Sequence, residues 1–242
     1  MAYRKHIHFF ILLITLISCK NQKKETNRNE VLSYGNRQLI LEENKLDGVV
    51  EIDSLFSNEP LFAIGPVEHL KGEVTIYNDL VSISSVKNDE PHVSQSKKTK
   101  AIFLLSTNEN EWSEYKIGRK LSGLKDTENY IKKILISENR DISKAIPFRI
   151  ETKVSKMTYH IIYKSDNLRH NKTEHQKAKI KFEMENREIN IIGFWVDKDR
   201  EGKLTHPGSR THLHFIEKEN KTSGHIDDII IPVNSTIYIP KK

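Results

Sequence analysis

The sequence is poor in cysteine, since Cys19 is the only one among 242 residues. An intramolecular disulfide is therefore excluded, and the fold depends on burial of apolar side chains, for which a chain of this length suffices. Long apolar runs are scarce as well. The longest, at residues 9–18, falls short of the roughly 20 residues that cross a bilayer, so the sequence shows no sign of a multi-pass membrane protein.

Charge of one sign is not concentrated anywhere in the chain. The formal net charge is +6 and 30% of the residues are charged, but the lysines are interspersed with glutamates and asparagines. The sequence contains no basic helix and no patch of alternating basic and aromatic residues, and a basic surface alone usually serves only solvation. We therefore expect no nucleic-acid partner.

The N-terminus has the pattern of a bacterial lipoprotein signal. A basic segment, MAYRKHIH, precedes the apolar run FFILLITLIS, whose last residues together with Cys19 read LISC and resemble a lipobox. We predict that residues 1–18 are a signal peptide and that Cys19 is lipidated, the alternative being a buried cysteine in a helix. The polar residues 19–30 predict a flexible tether. The expected product is an exported lipoprotein anchored to a bacterial membrane, facing the periplasm or the surface.

Short β-like runs dominate the sequence from Val31 onward, among them VLSYGNRQLIL, GEVTIY, VSISSV, MTYHIIY, INIIGFWV and THLHFIE. The segment DTENYIKKILISEN has helical spacing instead, with apolar residues on one face and Asp126 or Thr127 as its N-cap. We therefore predict a β-rich α+β domain over residues 31–242, with two packed mixed or antiparallel sheets and few helices.

Three histidines near the C-terminus form the most informative pattern. In THLHF, strand alternation places His212 and His214 on one face and apolar side chains on the other. If the chain folds back through a two-residue turn at residues 219–220, His214 lies directly opposite His225. Cross-strand neighbours have Cβ atoms about 4.5–5.5 Å apart, so the three imidazoles can share one metal ion.

Three imidazoles without a cysteine suit a borderline ion such as Zn²⁺, and three protein ligands leave positions open, as in catalytic sites. The alternative is an exposed strand pair that has no site role or only scavenges metal, and spacing alone does not decide between the two. His206 lies six residues before His212 and is a candidate for a group beside the ligands or the substrate, the alternative being an ordinary loop histidine.

Three stretches of the chain resemble the α-acetolactate decarboxylase family. The most specific is IIGFWVDKDREGKLTHPGSRTHLHFIEKENKTSGHIDD, in which the GFW, HLHF and GH motifs have the same spacing as in the family. The stretch LDGVVEIDSLFSNEPLFAIGPVEHLKGEVTIYND resembles the family's N-terminal part, and IPFRIETKVSKMTYH is similar to its PF strand pair. Together they span most of the chain from Val31 onward, between Leu46 and Asp228. We interpret the chain as a divergent, lipoprotein member of this family.

The resemblance implies a zinc site on the C-terminal sheet, with His212, His214 and His225 as ligands and Glu73 as the active-site carboxylate. Without the resemblance, Glu73 would be interpreted as a surface charge on an edge strand. The implied reaction converts 2-acetolactate to acetoin. The metal acts as a Lewis acid when CO₂ departs, and a nearby acid protonates the carbanion equivalent that remains.

Two features depart from the family. The resemblance aligns His160 with a substrate-facing arginine, and a histidine attracts a carboxylate only when protonated and without the bidentate fork of arginine. The alternative for His160 is a strand residue that faces solvent. The family's C-terminal carboxylate has no counterpart in VNSTIYIPKK.

The leading hypothesis is a zinc-dependent carbon–carbon lyase that decarboxylates a small 2-hydroxy-3-keto acid, 2-acetolactate above all. One alternative is a lipoprotein on the same fold that binds a metal or ligand without catalysis or acts on a different substrate. Another is a cupin-type dioxygenase. The combination of the KGE, GFW, HLHF and GH motifs argues against this alternative. A homodimer is left open, and membrane contact is expected through the lipid anchor only.

Overall fold

The computed structural model describes residues 30–57, 59–165, 168–219 and 221–242. The predicted signal peptide, the predicted lipidation site Cys19 and all of the predicted tether except Glu30 lie outside the described residues. Within the described ranges, no helix is long and apolar enough to cross a membrane.

The described chain is rich in β-structure and contains three α-helices. The helices are α1 Arg37–Glu43, α2 Leu124–Ser137 and α3 Lys172–Lys177. The strands are β1 Leu32–Tyr34, β2 Val50–Glu51, β3 Phe62–Pro66, β4 Glu73–Tyr77, β5 Leu80–Lys87, β6 Glu90–Ser94, β7 Lys100–Ala101, β8 Leu104–Thr107, β9 Trp112–Lys116, β10 Leu121–Ser122, β11 Ile146–Ile162, β12 Lys179–Trp195, β13 Thr211–Glu217, β14 Ser223–Ile231 and β15 Thr236–Pro240.

Two antiparallel sheets form the body of the molecule. The N-terminal sheet has the order β1-β8-β3-β4-β5-β6, and the C-terminal sheet has the order β10-β14-β13-β12-β11-β15-β9. Strand β14 pairs with β13 and also with β11, so the four strands β11 to β14 close on themselves. This architecture confirms the predicted β-rich α+β fold, although β11 and β12 are each 17 residues long and not the short runs expected.

Apolar side chains from both sheets meet in a shared core. Phe62 and Ile64 of β3 pack in one cluster with Ile192 and Phe194 of β12. Complete burial of such side chains contributes roughly 1.5–3 kcal/mol each. The interface between the sheets is therefore well packed on the side that borders the histidines.

Strand β4 begins at Glu73, the last residue of the KGE motif, and lies at this interface. Its residues alternate, so that Val74 and Ile76 join the core on the outer face of the N-terminal sheet, while Glu73 and Thr75 project toward the C-terminal sheet. β4 lies between β3 and β5 and is not an edge strand. The alternative interpretation of Glu73 as an edge-strand surface charge is therefore wrong.

The close approach of strand β5 requires a glycine at the middle position of the KGE motif. Gly72 has φ +149°, and a Cβ at this position would lie 2.1 Å from the carbonyl oxygen of Ser84 on β5. No L side chain fits so close an approach of two backbones. Gly72 therefore allows β4 to enter the sheet directly before Glu73.

The segment VLSYGNRQLIL, for which we predict a β-like run, is only partly a strand. β1 ends at Tyr34, Gly35 adopts φ +72°, and helix α1 follows. Asn36 caps this helix, since its side chain accepts a hydrogen bond from the backbone N–H of Gln38 at 2.8 Å. The Gly-Asn pair thus ends the strand and begins the helix.

Helix α2 is present as predicted, but its predicted N-cap is wrong. The helix begins at Leu124, ahead of both Asp126 and Thr127. The N–H of Leu124 donates to Oδ1 of Asp228 on β14 at 2.7 Å. A long-range partner therefore satisfies the first turn, and no local capping residue indicates it.

Candidate metal centre

Three histidines lie in one row across the C-terminal sheet. His214 of β13 is paired with His225 of β14, as predicted from the hairpin spacing, and His225 is paired in turn with His160 of β11. Residues in one row project from the same face of a sheet. Within the predicted turn at residues 219–220, Asn220 lies outside the described residues.

His212 joins this row from two residues before His214 on β13. Its Nε2 lies 3.1 Å from Nδ1 of His225, and its ring centroid lies 5.1 Å from that of His214. One ligand nitrogen from each of His212, His214 and His225 falls within 4.8 Å of the others. The three predicted ligands therefore come together, and we call them the ligand trio.

Neighbouring groups fix the orientation of two rings of the ligand trio. Nδ1 of His212 lies 3.0 Å from the carbonyl oxygen of Leu204, to which it donates its proton. Nδ1 of His214 lies 3.1 Å from Oγ1 of Thr75 on β4. Both contacts direct the Nε2 atoms inward, in the manner of the outer partners of metal-bound histidines.

The ligand trio fits a metal ion on three grounds. Nε2 of His214 is buried and has no hydrogen-bond partner, which is costly unless a ligand satisfies it. The 3.1 Å between the nitrogens of His212 and His225 is close to the roughly 3.3 Å that two tetrahedral zinc ligands at about 2.0–2.1 Å would have. Nitrogen donors of this kind suit Zn²⁺ and several other transition metals.

Burial keeps the ligand trio in the form that binds metal. It lowers the pKa of His212 to about 3 and lowers the pKa of His214 and His225 well below the usual value for histidine. Metal ligation requires the neutral imidazole. The three rings are therefore ready to bind a cation at neutral pH.

Glu73 lies against the ligand trio from the opposite sheet. Its side chain is 3% exposed, its Oε2 lies 3.9 Å from Nε2 of His214, and its Oε1 accepts a hydrogen bond from the N–H of Ile162 at 3.3 Å. Burial raises the pKa of Glu73 to about 8, a value that holds without a bound cation. A buried carboxyl group beside an imidazole cluster can serve as an acid or a base.

His160 faces the same cavity, so the alternative of a solvent-facing strand residue is wrong. Its side chain is 3% exposed, and its ring centroid lies 4.5 Å from that of His225. Nδ1 of His160 donates to Oδ1 of Asp227 at 2.8 Å, which leaves the lone pair of Nε2 free for the neutral ring. Burial lowers the pKa of His160, although the Asp227 carboxylate opposes this effect.

His206 occupies the loop before β13 and completes a second group of three histidines. Its Nε2 lies 3.1 Å from Nε2 of His225, and ligand nitrogens of His160, His206 and His225 also fall within 4.8 Å of one another. We call this set the outer trio. His225 belongs to both sets and presents Nδ1 to His212 and Nε2 to His206.

Two cations border the outer trio. The guanidinium of Arg37 at the start of α1 lies 3.5 Å from Nδ1 of His206, and Nζ of Lys179 at the start of β12 lies 3.4 Å from Nε2 of the same ring. Both side chains are half-buried, and burial lowers the pKa of each.

The cavity above the histidines has a volume of about 40 Å³ and opens to solvent. Its polar lining combines Glu73, Arg37 and His175 with members of both trios, and its apolar lining is Ile40, Pro66, Phe103, Ile162 and Leu204. An apolar wall combined with convergent polar groups is typical of a small-molecule site.

A family model described as alpha-acetolactate decarboxylase matches residues 38–241 of this chain. The match covers the KGE motif, His160 and every histidine of both trios. The chain belongs to the alpha-acetolactate decarboxylase family. This assignment excludes the cupin-type alternative. No curated protein sequence matches the chain.

Solved structures support the same fold for this acetolactate decarboxylase family member. Acetolactate decarboxylase from Bacillus subtilis subspecies spizizenii is 20% identical with a TM-score of 0.71, over 88% of this chain and 86% of that one. The enzyme from Bacillus subtilis strain 168 is 21% identical with a TM-score of 0.71, over 88% and 85%. A Staphylococcus aureus protein of unknown function, similar to alpha-acetolactate decarboxylase, is 16% identical with a TM-score of 0.71, over 86% and 84%.

Five polar residues of this site are not predicted from the sequence: Arg37, Thr75, His175, Lys179 and Asp227. Asp227 follows His225 by two residues on β14, so strand alternation offers a signal for it. His175 is buried on α3 and has its Nδ1 3.0 Å from Nε2 of His170. Nothing in the local sequence marks Arg37, His175 or Lys179 as site residues.

Proposed function

We propose that this protein is a zinc-dependent decarboxylase of a small 2-hydroxy-3-keto acid, converting 2-acetolactate to acetoin and CO₂. The observation that carries the proposal is the convergence of three buried, neutral imidazoles beside the buried carboxyl of Glu73. Membership of the acetolactate decarboxylase family points to the same substrate class.

His212, His214 and His225 would hold the ion. When bound, zinc supplies a Lewis acid that stabilises the negative charge developing on the substrate as CO₂ departs. Three neutral ligands leave the full charge of the ion available for this purpose. Thr75 and the carbonyl of Leu204 hold the ligand rings in position from behind.

The chain's own groups supply the proton. Cleavage of the carbon–carbon bond leaves its electron pair on the carbon that carried the carboxyl group, and a proton must reach that carbon to give acetoin. Oε2 of Glu73 is 3.9 Å from a ligand nitrogen and can hold this proton. His160, neutral and fixed through Asp227, presents Nε2 on the other side of His225.

The proposal is tested on the protein purified without residues 1–18. Bound metal is measured by inductively coupled plasma mass spectrometry, and acetoin formation is measured from racemic 2-acetolactate. We expect one zinc per chain and catalytic turnover, with zinc lost in His212→Ala and turnover lost in Glu73→Ala. The exposed His92 and Glu90 on β6 provide matched controls as His92→Ala and Glu90→Gln.

A binding protein on the same fold is a second candidate function. His160 stands where the resemblance places a substrate-facing arginine, so the groups around the substrate differ from those expected for the family. Stoichiometric zinc without turnover of 2-acetolactate would favour this candidate or a different substrate. Absence of stoichiometric metal would refute both functions.

We propose in addition that the protein is exported and anchored through a lipid on Cys19, as the lipobox-like LISC motif predicts. Cys19→Ser is then expected to move the protein from the membrane fraction to the soluble fraction on cell fractionation. An unchanged distribution would refute the anchor. The anchor is tested separately from the decarboxylase activity, because the activity assay uses protein purified without residues 1–18.

A further inference from the structure

We propose that Arg37 and Lys179 form a carboxylate-binding subsite beside the ligand trio, in place of the arginine that the resemblance aligns with His160. The inference rests on the proposed function for the position of the metal. It assigns the substrate's carboxylate to residues from α1 and β12, which are distant from His160 in sequence. It thereby identifies which part of a 2-hydroxy-3-keto acid this cavity selects.

The first argument is that neither cation has a carboxylate in direct contact, although Asp227 and Glu73 attract Lys179 from farther away. Among the described residues, no carboxylate lies within 4 Å of the Arg37 guanidinium or the Lys179 ammonium; Arg37 instead contacts the carbonyl of Gly202 at 3.4 Å and the ring of His206. Half-buried charges are costly to leave unpaired. An anionic ligand would remove this cost for both cations.

The second argument follows the protons of the imidazoles. If His225 binds the metal through Nδ1, which lies 3.1 Å from the ligand nitrogen of His212, its Nε2 carries the proton. That proton is then donated to Nε2 of His206 at 3.1 Å, so Nδ1 of His206 must carry the proton of that ring. Nδ1 of His206 and the guanidinium of Arg37 are then two donors that face each other at 3.5 Å.

Facing donors require an acceptor, and a carboxylate offers two oxygens with several lone pairs. A guanidinium binds a carboxylate in a planar fork, and an ammonium binds it as a compact charge. The subsite therefore combines a fork from Arg37, a point charge from Lys179 and an N–H from His206. It borders the apolar lining formed by Ile40 and Leu204, which suits the short carbon skeleton of a small keto acid.

The same cations argue against a second metal ion in the outer trio. An ion bound to His206 would lie within a few ångströms of Arg37 and Lys179, and like charges at such distances repel strongly in a half-buried site. The outer trio thus shares ligand-like spacing with the ligand trio but has the electrostatics of an anion site.

The test is isothermal titration of the zinc-loaded protein with 2-hydroxyisobutyrate, which lacks the ketone, and with 2-hydroxyisobutyramide, its neutral isostere. We expect Arg37→Gln to weaken carboxylate binding by about 10- to 100-fold, the range for hydrogen bonds to charged groups, and to leave amide binding unchanged. Lys179→Met should weaken it less, and Arg37→Lys should restore part of the affinity. Arg187→Gln, an exposed site on β12, is the charge-matched control.

A kinetic signature separates this subsite from a merely structural role of Arg37. The substrate's negative charge leaves the carboxyl group as CO₂ forms, so the interaction belongs mainly to the bound ground state. Arg37→Gln should therefore raise KM more than it lowers kcat for the proposed substrate. Melting temperature and zinc content of each variant establish that it is folded and loaded.

Equal carboxylate binding by the wild type and Arg37→Gln would overturn the subsite, as would two zinc ions per chain with one lost in His206→Ala. If the wild type forms acetoin while Arg37→Gln binds the carboxylate normally, the subsite fails and the proposed function stands. If carboxylate binding depends on Arg37 but no acetoin forms, the reaction fails and the subsite stands. Failure of the wild type to distinguish the carboxylate from the amide also refutes the subsite.

Discussion

The ligand trio and the outer trio are two sets of three histidines that share His225 and have similar spacing, yet their surroundings differ. The ligand trio is enclosed by Thr75, a backbone carbonyl and a carboxyl group, with one imidazole nitrogen left without a partner. The outer trio is bordered by Arg37 and Lys179. Spacing of histidines therefore does not define a metal site by itself. In the proposed assignment, the charges around the rings decide whether a cation or an anion is bound.

Removal of a ligand should produce the largest effect. We expect His214→Ala to lower zinc affinity by more than about 100-fold, beyond the loss usual for outer partners, and to abolish activity. His214 is completely buried and supplies the unpartnered nitrogen. Zinc content after gel filtration and competition with a chromophoric chelator measure the effect. Retention of stoichiometric zinc would remove His214 from the ligand set.

Substitution of Glu73 should produce the next largest effect. Glu73→Gln keeps the volume and the hydrogen bond from Ile162 but cannot transfer a proton, so kcat should fall by about 10²- to 10⁴-fold. Zinc affinity should stay near that of the wild type, because Glu73 is not in the ligand trio. Steady-state kinetics and metal analysis on one preparation check both statements. A normal kcat would mean that another group delivers the proton.

A smaller effect on zinc affinity is expected from substitution of Thr75, which contacts the ligand His214. Thr75→Val removes the hydroxyl that holds Nδ1 of His214 and should lower zinc affinity by about 10- to 100-fold. Thr107→Val is the matched control, because Oγ1 of Thr107 is buried without a hydrogen-bond partner. Chelator competition on both variants gives the comparison. If both lower the affinity equally, the loss reflects packing of the N-terminal sheet and not the orientation of His214.

The smallest change in metal binding belongs to the outer trio. His206→Ala should lower zinc affinity by about tenfold, the low end of the range for groups that orient ligands, because Nε2 of His206 accepts the proton of His225. It should nevertheless weaken binding of a carboxylate ligand, because it removes one donor of the proposed subsite. The same chelator competition, together with calorimetry, separates the two properties. A loss of zinc comparable with that in His214→Ala would make the two trios equivalent.

The sequence is most informative where local periodicity determines geometry. Strand alternation and the length of the hairpin predict that His214 lies opposite His225, and the two residues are paired in this way. The Gly-Asn pair before α1 is an equally local signal, although the apolar residues around it favour a β-like run. Helix α2 illustrates the limit of local signals, because its first N–H is satisfied by Asp228, 104 residues away.

The rest of the site depends on packing between distant segments. Arg37 reaches His206 across 169 residues of sequence, and no periodic pattern connects them. The resemblance to the family supplies Glu73 and the alignment of His160, which the residues alone do not. It cannot supply Arg37 or Lys179, since they stand outside the motifs that carry it.

The closed pairing of β11 to β14 has a consequence for how the site opens. His214 and His225 belong to strands that have paired neighbours on both sides, so neither backbone can separate without disrupting the whole four-strand set. Amide protons in such strands exchange with solvent only through large-scale unfolding, whereas loops exchange through local fluctuations. Hydrogen exchange at His214 should therefore be as slow as the slowest in the molecule, with or without metal. The cavity therefore has a rigid floor, and residues of helix α1 and of the loop that carries His206 form part of its lining.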